Sequence, residues 1–228
     1  MKQKIIVLSL GGSLIIPQAG FDTGFLKGFR ELIVRKIKED FRFIIVCGGG
    51  GTARAYQAAA RAIGYLMPED IDWIGIHATR LNAHFIRTIL REHAHPVVVR
   101  DFNDRVPWVE PVLVVSGWKP GCSTDFDAVK FAELYESDTL INLSNVSHVY
   151  DSDPKTNPKA KRLDKVTWAE MRGIVGDTWV PGANVPFDPV ACKEGQKLGL
   201  KVLFAKGTDL LEVEKAIEGK AITGTVIE

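Results

Sequence analysis

Short runs of branched apolar residues at 5–10, 43–47, 96–100, 112–116, 139–143 and 201–205 alternate along this chain with segments of helical period. Several of the runs are apolar at every position, as in strands covered on both faces, where the usual in-out alternation disappears. Between the first two, Phe25, Phe29, Leu32, Ile33 and Ile37 recur at three- and four-residue spacing and form one apolar helical face. Residues 71–93 repeat the pattern through Ile74, Ala78, Leu81, Phe85 and Ile89, and 125–135 and 188–198 repeat it more briefly. This alternation predicts an α/β chain with a largely parallel sheet and crossover helices packed on it.

The length of 228 residues suits one domain with a single substantial core. Residues 150–162, rich in Asp, Lys, Pro and Asn, read as a long surface connection between an amino-terminal two-thirds and a carboxy-terminal third of one continuous sheet. The formal charge of +1 leaves no global basic field for nucleic acid, so any anion site must be local. No apolar stretch approaches the roughly 20 residues needed to span a bilayer, which argues against a membrane role. Cys47, Cys122 and Cys192 are odd in number, widely spaced and without a CxxC pair. They read as reduced thiols and place the protein in the cytoplasm.

Four loops leave the ends of predicted strands. Gly11-Gly12-Ser13 follows the first and reads either as a tight turn or as backbone donors brought close to a phosphate. Gly48-Gly49-Gly50-Gly51 follows the second and runs into the Ala-rich segment 53–63, predicted helical. Four glycines together cost conformational entropy, roughly 0.5–1 kcal/mol each relative to Ala. Their use is then an anion cradle at a helix N-terminus, with Arg54 adding a forked contact, against the alternative of a flexible loop. The spacing fits neither the P-loop nor the dinucleotide fingerprint. The third loop, Lys119-Pro120-Gly121-Cys122-Ser123-Thr124-Asp125, supplies hydroxyls and a carboxylate, and Ser123 or Thr124 can cap the next helix. The fourth runs from Ser144 and Asn145 through Tyr150 to Asp153-Pro154-Lys155; Tyr150 can face a base or ribose, while Asp153-Pro154 fixes a turn. Open α/β sheets bind ligands at the carboxyl ends of their strands, so the first three loops converge on one composite phosphate site.

Taken in order, the loops resemble those of the amino-acid kinase family and, within it, the archaeal-type uridylate kinases. The likeness extends to residues 74–83, Phe187-Asp188-Pro189 and Gly224-Thr225-Val226-Ile227. The resemblance implies a three-layer αβα sandwich that transfers phosphoryl from ATP, with Mg²⁺, to UMP. It implies an acceptor lobe at 1–140 and an ATP lobe at 141–228. Ser9, Leu10, Gly11, Gly12 and Ser13 would line the ATP phosphates, and Gly49 and Gly50 would lie where the phosphoryl group passes. Arg54 would contact phosphate, and Asp72 would hold the acceptor ribose. The loop from Lys119 to Asp125 would wrap the acceptor, with Thr124 and Asp125 nearest the transferred group. Ser144, Asn145, Tyr150 and Asp153 would form the base and ribose side of ATP. A homo-oligomer built from dimers, up to a hexamer, would assemble through 52–63 and 71–93. Two departures stand out. Ser9 occupies a position where much of the wider family has Lys, although archaeal-type uridylate kinases also lack it. Ser147-His148 replaces a common Asp-Gly, leaving His148 to stack on adenine, to narrow the pocket, or to stand exposed without a role. A different small acceptor, or a silent nucleotide-binding protein, is the alternative reading.

Overall fold

The computed structural model describes residues 4–103, 105–154, 156–180 and 185–228; Lys155 of the fourth loop lies outside them. The chain runs β1 (Lys4–Leu10), α1 (Gly12–Ile15), α2 (Thr23–Ile37), β2 (Phe41–Cys47), α3 (Gly50–Ile63), α4 (Pro68–Ile89), β3 (Val112–Val115), α5 (Thr124–Leu134) and β4 (Thr139–Ser144). A short hairpin of β5 (Val149–Tyr150) and β6 (Arg162–Leu163) follows, then β7 (Lys165–Val166), α6 (Trp168–Val175), α7 (Pro189–Leu198), β8 (Lys201–Lys206), α8 (Leu210–Glu218) and β9 (Gly224–Ile227).

Seven strands form one sheet in the order β3-β2-β1-β4-β8-β9-β7. All neighbours pair parallel except β8 and β9, which run antiparallel. The wholly apolar strands are explained by two cores, one on each face. On β1 and β2, Ile6, Leu8, Leu10, Phe43, Ile45 and Cys47 pack toward α2, α4 and α8. Val7, Ile44 and Val46 pack the other way, toward α5, α6 and α7. Period-two geometry sends successive residues to opposite faces, so both must be apolar. The result is the three-layer αβα sandwich.

Residues 96–100 do not form the expected strand. Val99 makes a single bridge to Val115, and Ala94 another to Val112. Pro96, without an N–H to donate, interrupts the ladder between them. The helix expected at 71–93 starts three residues earlier, with Pro68 in its first turn, and ends at Ile89. The connection 150–162 is mostly turn, but Val149 and Tyr150 pair with Leu163 and Arg162 at its ends.

Lys36 joins α2 to α8 in an arrangement that the apolar pattern does not announce. It is 1% exposed, and its ammonium contacts Glu39 at 2.9 Å, Glu214 at 2.8 Å and Glu218 at 2.5 Å. Burial opposes its charge, but the hydrogen bonds it donates to these three carboxylates prevail and hold the ammonium above the ordinary lysine range. Replacing Lys36 with Met leaves three carboxylates facing one another. Breaking a buried ion pair costs about 3–5 kcal/mol. Because the glutamates are partly exposed, screening reduces this to about 2–3 kcal/mol. Thermal melting of Lys36→Met is expected to fall by roughly 5–10 °C, at the rate typical of a domain this size. An unchanged midpoint would show the cluster to be energetically neutral.

Candidate active site

The parallel register brings the ends of β1, β2 and β4 level, with Leu10 beside both Cys47 and Leu143. The loops that follow therefore meet at one edge of the sheet, as expected for an open α/β fold. The first two interlock through backbone. A Cβ on Gly12 would fall against the backbone of Gly50 and Gly48, and one on Gly50 against the carbonyl of Gly12. Gly50 also adopts φ +62°, which side chains disfavour. Gly48 N–H donates to Leu10 at 3.0 Å, Gly51 N–H to Ile16 at 2.8 Å, and Gly11 N–H to Leu143 at 3.0 Å. Asn82, from α4, donates its amide to the carbonyls of Gly48 and Gly49 at 2.8 and 3.1 Å. The four-glycine run is thus an ordered turn opening α3, whose first N–H groups carry the positive end of the helix dipole.

Two clefts flank this turn. The first, of about 250 Å³, is bordered by Gly49, Gly50, Arg54, Asp72, Lys119, Cys122, Ser123 and Thr124, all expected from the sequence. Gln57, Thr79, Asp127 and Trp179 also border it and were missed. The second, of about 590 Å³, is bordered by Ser13, Arg54 and Asn145, with Gln18, Asp22 and Thr208. Arg54 is exposed and reaches both clefts. Leu10 is buried in the core, and Gly11 and Gly12 form the floor beneath the turn. Ser144 accepts the Gly207 N–H at 2.8 Å and fixes the start of the fourth loop. Tyr150 is half-buried on β5 and Asp153 exposed in the next turn, and neither borders these two clefts. His148 is 4% exposed, so it is not a surface residue; Nδ1 meets Ser147 Oγ at 2.9 Å and Nε2 lies 3.4 Å from Asp164.

The third loop is pinned at both ends. Gly117 N–H donates to Thr79 Oγ1 at 2.8 Å, and Gly121 N–H donates to Asp72 Oδ2 at 2.9 Å. Trp179 Nε1 donates to the same oxygen at 3.0 Å. Asp72 therefore ties α4, the third loop and Trp179 together. Pro120 belongs to the same loop, and Lys119 places its ammonium 4.0 Å from the centre of the Trp118 ring. Ser123, not Thr124, is the N-cap of α5, accepting from the Asp125 N–H at 3.1 Å. Asp188 caps α7 through Val190 and Ala191, and its other oxygen accepts from the Ser123 N–H at 2.5 Å. One carboxylate thus joins the starts of two helices.

Asp125 sits where these helices meet. Its Oδ1 accepts from Ser9 at 3.0 Å and from Asn142 at 2.9 Å. Ser9 is itself buried, so its hydroxyl is engaged with Asp125. Burial, with Asp188 adding repulsion, pushes the Asp125 carboxyl up to about 7 despite these hydrogen bonds. The group is poised to exist in either state near neutral pH. All three cysteines are free. Burial, the first cause in each, holds their thiols above the ordinary range, so none is a ready nucleophile. Among the described residues no helix is long and apolar enough to cross a membrane.

The match to the amino acid kinase family covers residues 4–206. The uridylate kinase of Thermococcus kodakarensis is 37% identical over 227 residues, which is 98% of this chain and 99% of that protein. That of Methanospirillum hungatei is 35% identical over 226 residues, covering 97% and 94%. The crystal structure of uridylate kinase from Archaeoglobus fulgidus aligns with a TM-score of 0.82 at 32% identity, over 98% of this chain and 99% of that one. The UMP kinase structure from Bacillus anthracis shares the fold, with a TM-score of 0.75 at 21% identity over 99% and 96%. With the family pattern spanning most of its length and relatives similar from end to end, this chain belongs to the amino acid kinase family.

Proposed function

We propose that this chain is an ATP-dependent nucleoside monophosphate kinase that transfers the γ-phosphoryl group of ATP to UMP, giving ADP and UDP. The observation that carries the reading is a pair of clefts that share Arg54, the first of them bordered by the Gly49–Gly50 turn, in a chain similar throughout its length to proteins named uridylate kinase. The acceptor lobe is assigned to 1–140 and the ATP lobe to 141–228, with residues of both segments bordering each cleft. In the reaction the bond from the γ-phosphorus to the bridging oxygen breaks as a phosphate oxygen of UMP bonds to phosphorus. The acceptor oxygen is already ionised, so no strong base is required and catalysis rests on alignment and charge stabilisation.

ATP enters as its magnesium complex. No group of three or more His, Cys, Asp or Glu forms a metal cage among the described residues. The α3 N-terminus and Arg54 supply fixed positive charge at the turn, Thr124 borders the acceptor cleft with Asp125 next to it in the chain and held by Ser9 and Asn142, and Ser13 and Asn145 border the donor cleft. A coupled assay of ADP release against UMP, CMP, AMP and GMP tests the assignment. UMP is expected to be preferred by at least tenfold in kcat/KM, and equal turnover of all four would remove the pyrimidine assignment.

The oligomer is proposed to be built from dimers, up to a hexamer. Tyr56 and Ile63 on α3, Tyr65 and Met67 in the following connection, and Leu81 on α4 are more than half exposed. Clustering of large apolar side chains on one helical hairpin fits a surface covered by a second copy. Light scattering at micromolar concentration is expected to give at least a dimer mass, and a monomer mass would count against this.

A further inference from the structure

Asp127 lies in the first turn of α5 and is 2% exposed, yet it borders the acceptor cleft beside Thr79, Gly117 and Trp118. Its carboxyl group takes a hydrogen bond from the Trp118 backbone. Its Oδ1, although buried, has no partner. A buried polar atom left unbonded costs about 1–3 kcal/mol, and such atoms are few in native proteins. One that borders a ligand cleft marks a place where a ligand atom completes the bonding. Burial, then repulsion from Asp188 and Asp125, holds this carboxyl well above the ordinary carboxylate range and favours the acid form. Because the other oxygen accepts from Trp118, the proton belongs on the unpartnered Oδ1 of a residue that borders the cleft. A neutral carboxylic acid kept as a hydrogen-bond donor by its surroundings is an established catalytic device.

We propose that Asp127 is a specificity-determining residue of the acceptor cleft, its Oδ1 hydroxyl donating to a ring carbonyl oxygen of the acceptor's base. The assignment rests on the nucleotide kinase reading above. The acceptor phosphate is assigned to Arg54 and the backbone amides of the Gly49–Gly50 turn. The ribose is assigned to Asp72, which leaves the base. Uracil presents a carbonyl where cytosine presents an amine, so a fixed donor accepts the first and opposes the second. A site built around one hydrogen bond discriminates strongly against an analogue that cannot make it.

The test compares kcat/KM for UMP and CMP in the full-length wild type and in Asp127→Asn, Asp127→Leu and Asp127→Ala. Thermal melting and ATP binding by calorimetry establish that each variant is folded. Asn offers an amide N–H in place of the acid hydroxyl and is expected to keep the UMP to CMP ratio within fivefold of wild type. Leu has similar bulk and no donor and is expected to lower the ratio more than fivefold, chiefly by raising KM for UMP while KM for ATP holds. Ala, which cannot overpack, carries the same expectation should Leu not fold. A smaller fall in the folded apolar variant, or a larger fall in the Asn variant, overturns the assignment of Asp127 alone. A wild type that does not phosphorylate UMP in the same assay overturns the kinase reading and this assignment with it.

Discussion

Arg54→Ala is expected to lower kcat by about 10²-fold or more, a loss of roughly 3 kcal/mol of transition-state stabilisation. In phosphoryl transfer, negative charge spreads over the equatorial oxygens of the migrating group, and fixed cations there lower the barrier. Ser9 brings no cation, and its hydroxyl is held by Asp125. Arg54 borders both clefts, so its guanidinium can stay with the group from donor to acceptor. Lys119→Ala serves as the comparison. Its ammonium is exposed and rests over Trp118 at the mouth of the acceptor cleft, where a mobile charge attracts the acceptor without following the reaction. It is expected mainly to raise KM for UMP. Steady-state kinetics on both folded variants decides the matter, and values within twofold of wild type for both would leave the charge to Mg²⁺ and backbone amides.

Gly12→Ala is expected to remove activity at the level of at least 10²-fold and to lower the melting temperature as well. The added methyl would meet the backbone of Gly50 and Gly48, and backbone on both sides leaves no side chain to move aside. Overpacking of this kind costs about 1–3 kcal/mol even where a core can adjust. Here the adjustment would separate the two loops that meet between the clefts, and a misplacement of about 1 Å can cost 10²-fold in rate. Gly173→Ala is the control. Gly173 lies in α6 with open space where its Cβ would be, so the substitution is expected to be neutral or to stabilise by about 0.5–1 kcal/mol. Melting curves and kcat measured for both variants separate steric interlock from general intolerance of substitution at glycine. A Gly12→Ala protein with wild-type turnover would show that the loops need not touch.

How far the sequence reached can be seen element by element. The central strands and α2 were legible because doubly covered strands and one-faced helices leave distinct apolar periods. The segment after residue 160 was harder to read. The capping box of Thr167 and Glu170 on α6 and the Asp209 cap before Glu212 on α8 were present as signals. The strands beside them, β7 and β9, are two and four residues long, too short for a period to show. At 96–100 composition favoured a strand, but Pro96 and the lack of a further neighbour left a bridge.

For the site, the residue types and their order along the chain identified the loops, because glycine, hydroxyl and carboxylate clusters after strands have few other uses. Sequence alone singled out Gly49, Gly50, Arg54, Asp72, Lys119, Cys122, Ser123 and Thr124, which the fold brings to the border of one cleft. Tertiary structure decided what several of them do. The glycines are required by a backbone contact between loops 36 residues apart in Gly12 and Gly48. Ser9 reaches Asp125 across 116 residues, Asp72 meets Trp179 across 107, and Asp188 caps one helix while holding the start of another. Such contacts depend on which strand ends lie side by side in the sheet. A linear pattern records the period of each element but carries no record of that adjacency.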